Sequence, residues 1–194
     1  PSKWLPLRGQ KFYERLNIEV MTAKQVTAVD PASRTVTFAD GSTMSADRIL
    51  IATGGRPRSL PVPGADKAGC HTLRSREDAE AILAELEAAK TVVIVGASFI
   101  ALEVACSLRA LEKEVHIVAP EQIPLAKVFG EKIGGRIKKT HEENGVRFHL
   151  GQTVKEFAGS ERVSEVVLTD GTRLNADLVV IGVGVKPAGD FLDG

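Results

Sequence analysis

Hydrophobic and polar positions along the chain predict a parallel sheet covered by helices. The apolar stretches at 91–96 and 114–119 are typical of strands that are buried on both faces. A third strand is predicted at 146–150, and the intervening residues 98–111 and 130–145 are predicted to be helices, the second in spite of its glycines. Strand, helix, strand, helix, strand is the order expected of an α/β fold with a parallel sheet.

A further helix is predicted at 75–90, before the first of these strands. Ser75 can accept a hydrogen bond at its N-terminus, and Asp78, three residues later, can complete a capping box. Four apolar residues recur at helical spacing and are predicted to form its buried face: Ala79, Ile82, Leu83 and Leu86.

Two segments of the chain repeat each other at a constant offset of 130 residues. Residues 38–57, FADGSTMSADRILIATGGRP, agree at seven positions with residues 168–187, LTDGTRLNADLVVIGVGVKP. Each copy is predicted to be a hairpin that leads into a further strand, with Asp40 and Gly41 as a two-residue turn in the first copy. Residues 17–30, upstream of the first copy, are predicted to form two short strands.

The repeat extends upstream at an offset of 128, with Ile18 opposite Val146 and Val26 opposite Val154. The second copy has a glycine turn at Gly96, and the equivalent turn of the first copy would fall before residue 1. Repeated units of this size indicate duplicated domains. We therefore predict that the chain begins inside its first domain, with a partial domain at 1–65 that includes a Gly/Pro-rich linker, a complete domain at 66–188, and the start of a return to the first domain at 189–194.

Candidate chemistry begins where the strand at 91–96 enters the next helix. The template G-x-G-x-x-G/A maps to Gly96, Ser98 and Ala101, and it allows a tight turn, a close approach of the backbone to a pyrophosphate, and close helix–strand packing. The positive helix end then holds the diphosphate. Ser98 departs from the template, and its side chain either lowers affinity or donates a hydrogen bond to phosphate. The alternative is a tight turn that serves packing only.

Two carboxylates near this turn are candidate ligands for a nicotinamide dinucleotide. An acidic residue for the ribose hydroxyls is expected at the end of the next strand, where Ala119 stands, and Glu121 is the nearest carboxylate. No arginine lies close by, and Lys127 is the nearest base downstream, which favours NAD(H) over NADP(H), although Glu121 fits an exposed loop position equally well. Glu103, early in the helix, either balances the helix dipole or faces the nicotinamide end of the cofactor.

Composition and charge exclude several other classes of function. Lys and Arg together number 25, as do Asp and Glu, so net charge gives no indication of nucleic-acid binding. No apolar run approaches the length of a membrane span, and the first residues lack the pattern of a signal peptide, so the cytoplasm is the expected compartment. Cys70 and Cys106 form no CxxC pair, and the four histidines show no ligand spacing, so no metal site is expected.

Several of these segments together resemble the FAD-dependent pyridine nucleotide–disulfide oxidoreductase superfamily. They are residues 36–41 (VTFADG), 52–57 (ATGGRP), 92–103 (VVIVGASFIALE) and 179–187 (VVIGVGVKP). Residues 5–20 and 128–150 are similar to its apoptosis-inducing-factor-like and ferredoxin/rubredoxin reductase branch. The resemblance implies a Rossmann-like NAD-binding domain, a parallel sheet with an antiparallel hairpin appendage, preceded by part of a second, FAD-type Rossmann-like domain.

The resemblance also implies an activity and a set of site residues. Hydride would pass from NAD(P)H to FAD, and electrons would pass singly to a ferredoxin, a rubredoxin or a Rieske-type protein. Glu103 is the predicted catalytic residue. The predicted NAD(H) site comprises Gly96, Ser98, Phe99, Ile100, Ala101, Glu103, Glu121, Gly182, Val183 and Gly184. The predicted FAD contacts are Val26, through its backbone in the adenine region, and Ala52, Thr53, Gly54 and Arg56.

The chain departs from the family pattern in ways that change the expectation for this chain alone. It lacks the FAD phosphate-binding turn and the family's later segment, so we expect it neither to retain FAD nor to turn over by itself. It has no paired redox cysteines, which favours an external electron acceptor. One alternative is a redox-sensing or signalling flavoprotein in which NADH binding controls assembly. Another is a domain that has lost its nucleotide, with Ser98 and Ala119 as the signs of that loss.

Overall fold

The computed structural model describes residues 7–192, which fall into two compact units. One unit comprises residues 7–53 and 188–192, and the other comprises Gly54–Pro187. The predicted segments 1–65 and 189–194 therefore extend in part beyond the described residues. Residues 54–65, which the sequence places with the first domain as a linker, belong to the second unit, where Leu60 and Val62 pack on its core. The assignment of the units to FAD and NAD(H) stays a prediction.

The first unit contains a small antiparallel sheet with the order β1–β2–β3. Its register shifts between Val26 and Ala28, where β1 faces β2. Its elements are α1 (Gln10–Arg15), β1 (Val26–Asp30), β2 (Thr35–Phe38), β3 (Thr43–Ser45) and a short 3-10 helix at Asp190–Leu192.

Two strands predicted in the first unit do not form. Residues 17–21 and 46–53 are irregular, so only the second of the two short strands predicted at 17–30 is present, and the first hairpin leads into no strand. Ile18 and Leu50 are 47% and 90% exposed. A strand needs a neighbour for its backbone hydrogen bonds, and no strand in the described part of the chain pairs with either segment.

The second unit is built on a five-stranded parallel sheet with the order β5–β12–β6–β7–β8. A three-stranded antiparallel sheet, β11–β10–β9, forms the predicted appendage, and β4 pairs with β13. The strands are β4 (Gly55–Pro57), β5 (Cys70–Thr72), β6 (Thr91–Val95), β7 (Glu114–Ala119), β8 (Val146–Leu150), β9 (Val154–Ala158), β10 (Glu165–Leu168), β11 (Arg173–Asn175), β12 (Leu178–Ile181) and β13 (Val185–Pro187). The predicted fold class is thus confirmed.

Alternate residues of the central strand serve two separate cores, which explains its fully apolar sequence. Val92 and Ile94 pack on the helical side, whereas Val93 and Val95 pack toward the antiparallel sheet. The unit therefore has three layers, with helices on one face of the parallel sheet and the antiparallel sheet on the other. The helices are α2 (Arg76–Leu86), α3 (Phe99–Ala110) and α4 (Ala126–Glu143).

The predicted helices form, with two corrections. Ser75 and Asp78 make the predicted capping box at α2, but Leu83 is 60% exposed because Ile82 and Leu86 occupy the centre of the buried face. α4 begins four residues before the predicted start and is kinked at Gly130, whose φ of 79° and ψ of 166° are not helical. No helix among residues 7–192 combines the length and the apolar character needed to cross a membrane.

The repeat is confirmed in the structure for the three strands of the two antiparallel sheets. β10 and β11 occupy the positions of β2 and β3 shifted by 130 residues, and β9 occupies that of β1 shifted by 128. The predicted turn, however, is one residue short. Gly41 N donates to Phe38 O and Phe38 N donates to Ser42 O, both at 2.9 Å, which encloses a three-residue loop. Gly41 alone takes the left-handed conformation, while the Asp40 carboxylate accepts from Ser42 N at 3.0 Å.

Asp177, the counterpart of Asp47 in the repeat, connects the start of β12 to the start of β6 through hydrogen bonds. The Asp177 carboxylate accepts hydrogen bonds from the backbone N–H groups of Lys90 and Thr91, each at 2.8 Å. These bonds, that from Thr91 above all, lower the pKa of Asp177. The ionised carboxylate therefore stabilises the folded state.

We expect Asp177→Ala to lower the free energy of unfolding by about 1–2 kcal/mol at pH 7, because two charge-assisted bonds to an exposed carboxylate are lost. Since the folded pKa is lowered, this stabilisation is full above about pH 4 and is lost as the pH falls further. Thermal unfolding between pH 3 and 7 measures it. The matched control is Asp47→Ala at the equivalent repeat position, where no described residue bonds the carboxylate. Equal losses in the two variants would show that the bonds from Lys90 N and Thr91 N to Asp177 do not stabilise the fold.

Candidate functional site

The turn from β6 to α3 requires glycine at Gly96. Its φ is 113°, a conformation that side chains disfavour, and a Cβ there would lie 2.4 Å from the carbonyl oxygen of Gly182. Gly96 N donates to Val118 O at 2.7 Å and Gly182 N donates to Val95 O at 2.8 Å, so the ends of three parallel strands meet here. The carboxyl ends of parallel strands form the crevice in which ligands of such sheets bind.

Three other small residues lie around this turn, and the structure constrains each of them differently: Ala101, Gly182 and Gly184. Ala101 is 1% exposed and packs in the helical core, as the third template position predicts. A Cβ on Gly182 would lie 3.8 Å from that of Ala101, which is ordinary contact, so space does not require glycine there. Gly184 has a φ of 108°, and its backbone conformation favours glycine. The strict steric requirement therefore falls on Gly96.

Two adjoining cavities open at this turn, and both are formed within the second unit. The turn cavity, of about 320 Å³, is lined by Gly96, Ala97, Ser98, Pro120, Glu121, Leu125, Ala126, Lys127, Val128, Gly182, Val183 and Gly184. The helix cavity, of about 210 Å³, is lined by Pro57, Leu73, Ile94, Ser98, Phe99, Ile100, Ala101, Val104, Val180, Ile181, Gly182, Gly184 and Val185. Of the ten residues predicted for NAD(H), all but Glu103 line one or both cavities.

The N-terminus of α3 borders both cavities, since Ser98 lines both and residues 99–101 line the helix cavity. Ser98 is the N-cap residue, yet its side chain accepts no hydrogen bond from the helix, and the first turn contains no acidic residue. The first N–H groups of any helix lack partners within it, and they carry the positive end of the helix dipole. The turn cavity is therefore suited to a phosphate group.

Two residues of opposite charge line the turn cavity. Glu121 follows β7, is half-buried, and is held by a bond from Gly151 N to its carbonyl oxygen at 3.2 Å. Lys127, in the first turn of α4, lines the same cavity. A carboxylate here suits ribose hydroxyl groups, whereas the ammonium group of Lys127 attracts a further phosphate.

The structure places Glu103 outside both cavities. It is exposed and lines a shallow hollow between α3 and α4, beside Phe99, Phe129 and His141. It is the fifth residue of α3, and the effect of the helix dipole falls off within the first turn, so the dipole interpretation is not supported. Its predicted catalytic role stays a prediction.

The five residues predicted to contact FAD divide between the two units. Val26 lies in β1, and Ala52 and Thr53 follow in the first unit, where Thr53 Oγ1 donates to Ala188 O at 2.5 Å. Gly54, with a φ of 69°, and Arg56, in β4, begin the second unit. Their contact with FAD stays a prediction.

Three residues that line the cavities are absent from the site predicted from the sequence, for different reasons. Lys127 has a signal, since it is the only cation between β7 and the kink at Gly130, but the dinucleotide template does not include it. Leu125 has a left-handed φ of 56°, which is rare for a leucine and has no mark in the sequence. Pro57 reaches the helix cavity because β4 pairs with β13, and that pairing joins segments far apart in the chain.

Comparison with known protein families and structures places this architecture among redox proteins. Residues 7–194 match the family described as pyridine nucleotide-disulphide oxidoreductase. The chain is similar to apoptosis-inducing factor 3 of Homo sapiens, with 35% identity over 97% of this chain and 31% of that protein. It is also similar to the biphenyl dioxygenase system ferredoxin–NAD(+) reductase component of Paraburkholderia xenovorans (strain LB400), with 34% identity over 93% of this chain and 44% of that protein.

A solved structure supports the same grouping. The crystal structure of the covalent putidaredoxin reductase–putidaredoxin complex matches with a TM-score of 0.89 and 34% identity, over 98% of this chain and 47% of that chain. The chain thus spans less than half the length of each of these three proteins.

Proposed function

Because the chain belongs to the pyridine nucleotide-disulphide oxidoreductase family, we propose that its second unit is a nicotinamide-dinucleotide-binding domain. The observation that carries this proposal is the turn at Gly96, where a Cβ would lie 2.4 Å from Gly182 O and where the N-terminus of α3 opens on a cavity. The residues fit the group, since glycine keeps the strand ends close and the free N–H groups suit a diphosphate.

Within this domain, each part of the site has a proposed task. The N–H groups at the start of α3 bind the diphosphate, and the Glu121 carboxylate accepts hydrogen bonds from the ribose hydroxyl groups. The apolar residues that line the helix cavity, among them Ile100 and Val185, exclude water from the nicotinamide ring that enters the cavity. The predicted role of Glu103 at the nicotinamide end is not part of this proposal, because Glu103 lines neither cavity. When bound, the nicotinamide supplies a hydride to FAD, and the protein holds the two cofactors in position.

We propose NADH as the preferred nucleotide, because the Glu121 carboxylate in the turn cavity repels a 2′-phosphate. Glu121→Gln is expected to reduce the ratio of NADH to NADPH affinity about tenfold, a change of about 1.4 kcal/mol. Calorimetric titration with each nucleotide measures this ratio. The matched control is Glu131→Gln, an exposed carboxylate of α4 that does not line the cavity. An unchanged ratio in Glu121→Gln would show that Glu121 does not determine the preference for NADH.

For the whole protein that contains this chain, we propose an FAD-dependent NADH oxidoreductase that passes electrons to a ferredoxin-type protein. Support comes from a relative named as a ferredoxin–NAD(+) reductase component and from a solved complex of putidaredoxin reductase with putidaredoxin. A ferredoxin, a rubredoxin or a Rieske-type protein fits the proposal.

We propose the cytoplasm as the compartment of this protein. The free thiols of Cys70 and Cys106 support it, since reduced cysteines are typical of that compartment.

Steady-state oxidation of NADH by the whole flavoprotein, with ferredoxin, rubredoxin and Rieske-type acceptors in turn, tests this reductase activity. Fast oxidation that depends on one acceptor is the expected result. Slow oxidation with every acceptor, together with a long-lived charge-transfer complex and ligand-dependent dimerisation, would favour the sensing function suggested by the similarity to apoptosis-inducing factor 3.

A further inference from the structure

Two histidines on neighbouring parallel strands are hydrogen-bonded to each other. His116 Nδ1 and His149 Nε2 are 2.9 Å apart, His116 is 8% exposed, and His149 is half-buried. His116 lies in β7, and His149 lies in β8, which is the edge strand of the parallel sheet. Val115 and Ile117, on either side of His116, pack on the helical core, so the pair lies on the other face of the sheet. Neither histidine lines the turn cavity or the helix cavity.

The two imidazole rings meet edge to edge. Their planes differ by 14°, and their centroids are 5.2 Å apart, which is close to the largest separation that a nitrogen–nitrogen distance of 2.9 Å allows. The two nitrogens therefore point straight at each other, with one proton between them. A metal ion in line between two imidazole nitrogens would need about 4 Å. The gap fits a proton and is too short for a metal ion.

The neighbours of His116 determine which ring donates. His116 Nε2 lies 3.2 Å from Glu114 Oε1, and because a carboxylate only accepts, this nitrogen carries a proton. In a neutral ring His116 Nδ1 is then the acceptor, and His149 Nε2 donates to it. One further proton can bind at His149 Nδ1 without breaking the bond between the rings.

Charged groups from three segments act on the pair. Arg147, on the same strand as His149, forms an ion pair with Glu114 of β7. The pKa of His149 is lowered by burial most of all, and also by His116 and Arg147. Asp170, in the turn after β10, acts in the opposite sense. In sum, the folded chain resists protonation of His149 more than the unfolded chain does.

The end of β8 also supports the loop that follows β7. Gly151 N donates to Glu121 O at 3.2 Å, and one residue on, Gln152 N donates to the carbonyl oxygen of Ala119 at 3.2 Å. His149 lies two residues before Gly151. A break between the two histidines would thus loosen the backbone that holds Glu121, which lines the turn cavity.

We propose that His116 and His149 form an acid-sensitive link, the histidine link, which holds β8 to β7 while one proton lies between the rings and breaks when both rings are protonated. With both rings protonated, an N–H group stands on each side of the gap, so the hydrogen bond is replaced by repulsion between two partly buried charges. The end of β8 then loosens, and nucleotide affinity falls. This last consequence rests on the proposed function, whereas the histidine link does not.

Thermal unfolding at about pH 7.5 and about pH 5.5 tests the histidine link, since carboxylates stay largely ionised over this range. Because the folded pKa of His149 is lowered, the stabilisation is full above about pH 6.5 and is lost as the pH falls below that value. The melting temperature of the wild-type chain is expected to fall by several degrees. His149→Gln keeps an N–H group that can donate to His116 Nδ1 but cannot be protonated, so its melting temperature is expected to change little.

His71→Gln is the matched control. His71 also lies 3.0 Å from a carboxylate oxygen, that of Glu85, but it bonds no second histidine among the described residues. This variant is expected to retain the fall in melting temperature. Equal falls in wild type and His149→Gln would overturn the histidine link, and so would the absence of the fall in His71→Gln.

Amide hydrogen exchange of the wild-type chain tests the same link without any variant. After correction for the intrinsic pH dependence of exchange, protection of residues 149–152 is expected to be severalfold lower at about pH 5.5 than at about pH 7.5, while that of β6 stays unchanged. Unchanged protection of residues 149–152 would overturn the histidine link, whatever the variants show.

Calorimetric titration with NADH under the same two conditions tests the consequence for the site. Affinity is expected to fall severalfold in wild type at the lower pH and to stay nearly constant in His149→Gln. Constant affinity in wild type, together with the fall in melting temperature, would overturn the coupling to the site alone. A chain that binds no NADH at either pH would overturn the proposed function, while unfolding and exchange still decide on the histidine link.

Discussion

Gly96→Ala is expected to weaken NADH binding at least 100-fold, a change of at least about 2.7 kcal/mol, and to destabilise the fold. The φ of 113° is unfavourable for alanine, and the new Cβ would lie 2.4 Å from Gly182 O, which is a backbone atom that cannot rotate away. The strand ends β6 and β12 must separate, and the start of α3 moves with them. We expect the free energy of unfolding to fall by about 3 kcal/mol.

Gly171→Ala is the matched control for backbone strain without crowding. Gly171 has a φ of 90° in the turn between β10 and β11, and a Cβ there would meet nothing within 4 Å. This variant is expected to lose about 1 kcal/mol of stability and to bind NADH as wild type does. Calorimetric titration and thermal unfolding of both variants separate the two effects. Normal NADH binding by Gly96→Ala would show that the nucleotide does not use this turn.

The second large effect is expected from two adjacent glycines in α4. A Cβ on Gly134 would lie 2.3 Å from Pro124 O and 2.8 Å from Ile123 Cγ2, whereas a Cβ on Gly135 would meet nothing within 4 Å. Gly134→Ala is therefore expected to lower the free energy of unfolding by about 2–3 kcal/mol. Gly135→Ala is expected to raise it by about 0.5–1 kcal/mol, because alanine favours the helix.

The same pair of variants connects helix packing to the site. Gly134 lets α4 pack closely against the loop that precedes it and against its own first residue, Ala126, and Leu125 and Ala126 line the turn cavity. Gly134→Ala is accordingly expected to weaken NADH binding severalfold, and Gly135→Ala to leave it unchanged. Urea unfolding and calorimetric titration measure the two quantities. Equal stability of the two variants would contradict the close packing of α4 on this loop.

The elements that could be predicted from the sequence are those whose signals are local. β6 and α3 are fully specified by an apolar run, a glycine turn and a helical apolar face, and the observed helix Phe99–Ala110 lies within the predicted 98–111. The capping box at Ser75 and the repeated hairpins are local in the same way. For the site, the template located Gly96, Ser98 and Ala101, and the family resemblance implied residues 182–184.

The features that could not be predicted depend on pairing and packing between distant segments. Residues 46–53 carry the same sequence pattern as β12, but β12 has β5 and β6 as neighbours and residues 46–53 pair with no described strand. Leu83 fits the helical period yet lies at the margin of the buried face. The left-handed Leu125 and the position of Lys127 in the turn cavity follow from how α4 meets the loop after β7.

The second unit is proposed to bind a nicotinamide dinucleotide at the Gly96 turn. The measurement that tests it most directly is calorimetric titration of the wild-type chain with NADH and, separately, with NADPH. We expect saturable binding of one NADH per chain, with NADH preferred over NADPH. No saturable heat with either nucleotide would contradict the proposed function, and it would make the turn at Gly96 a feature of strand packing alone.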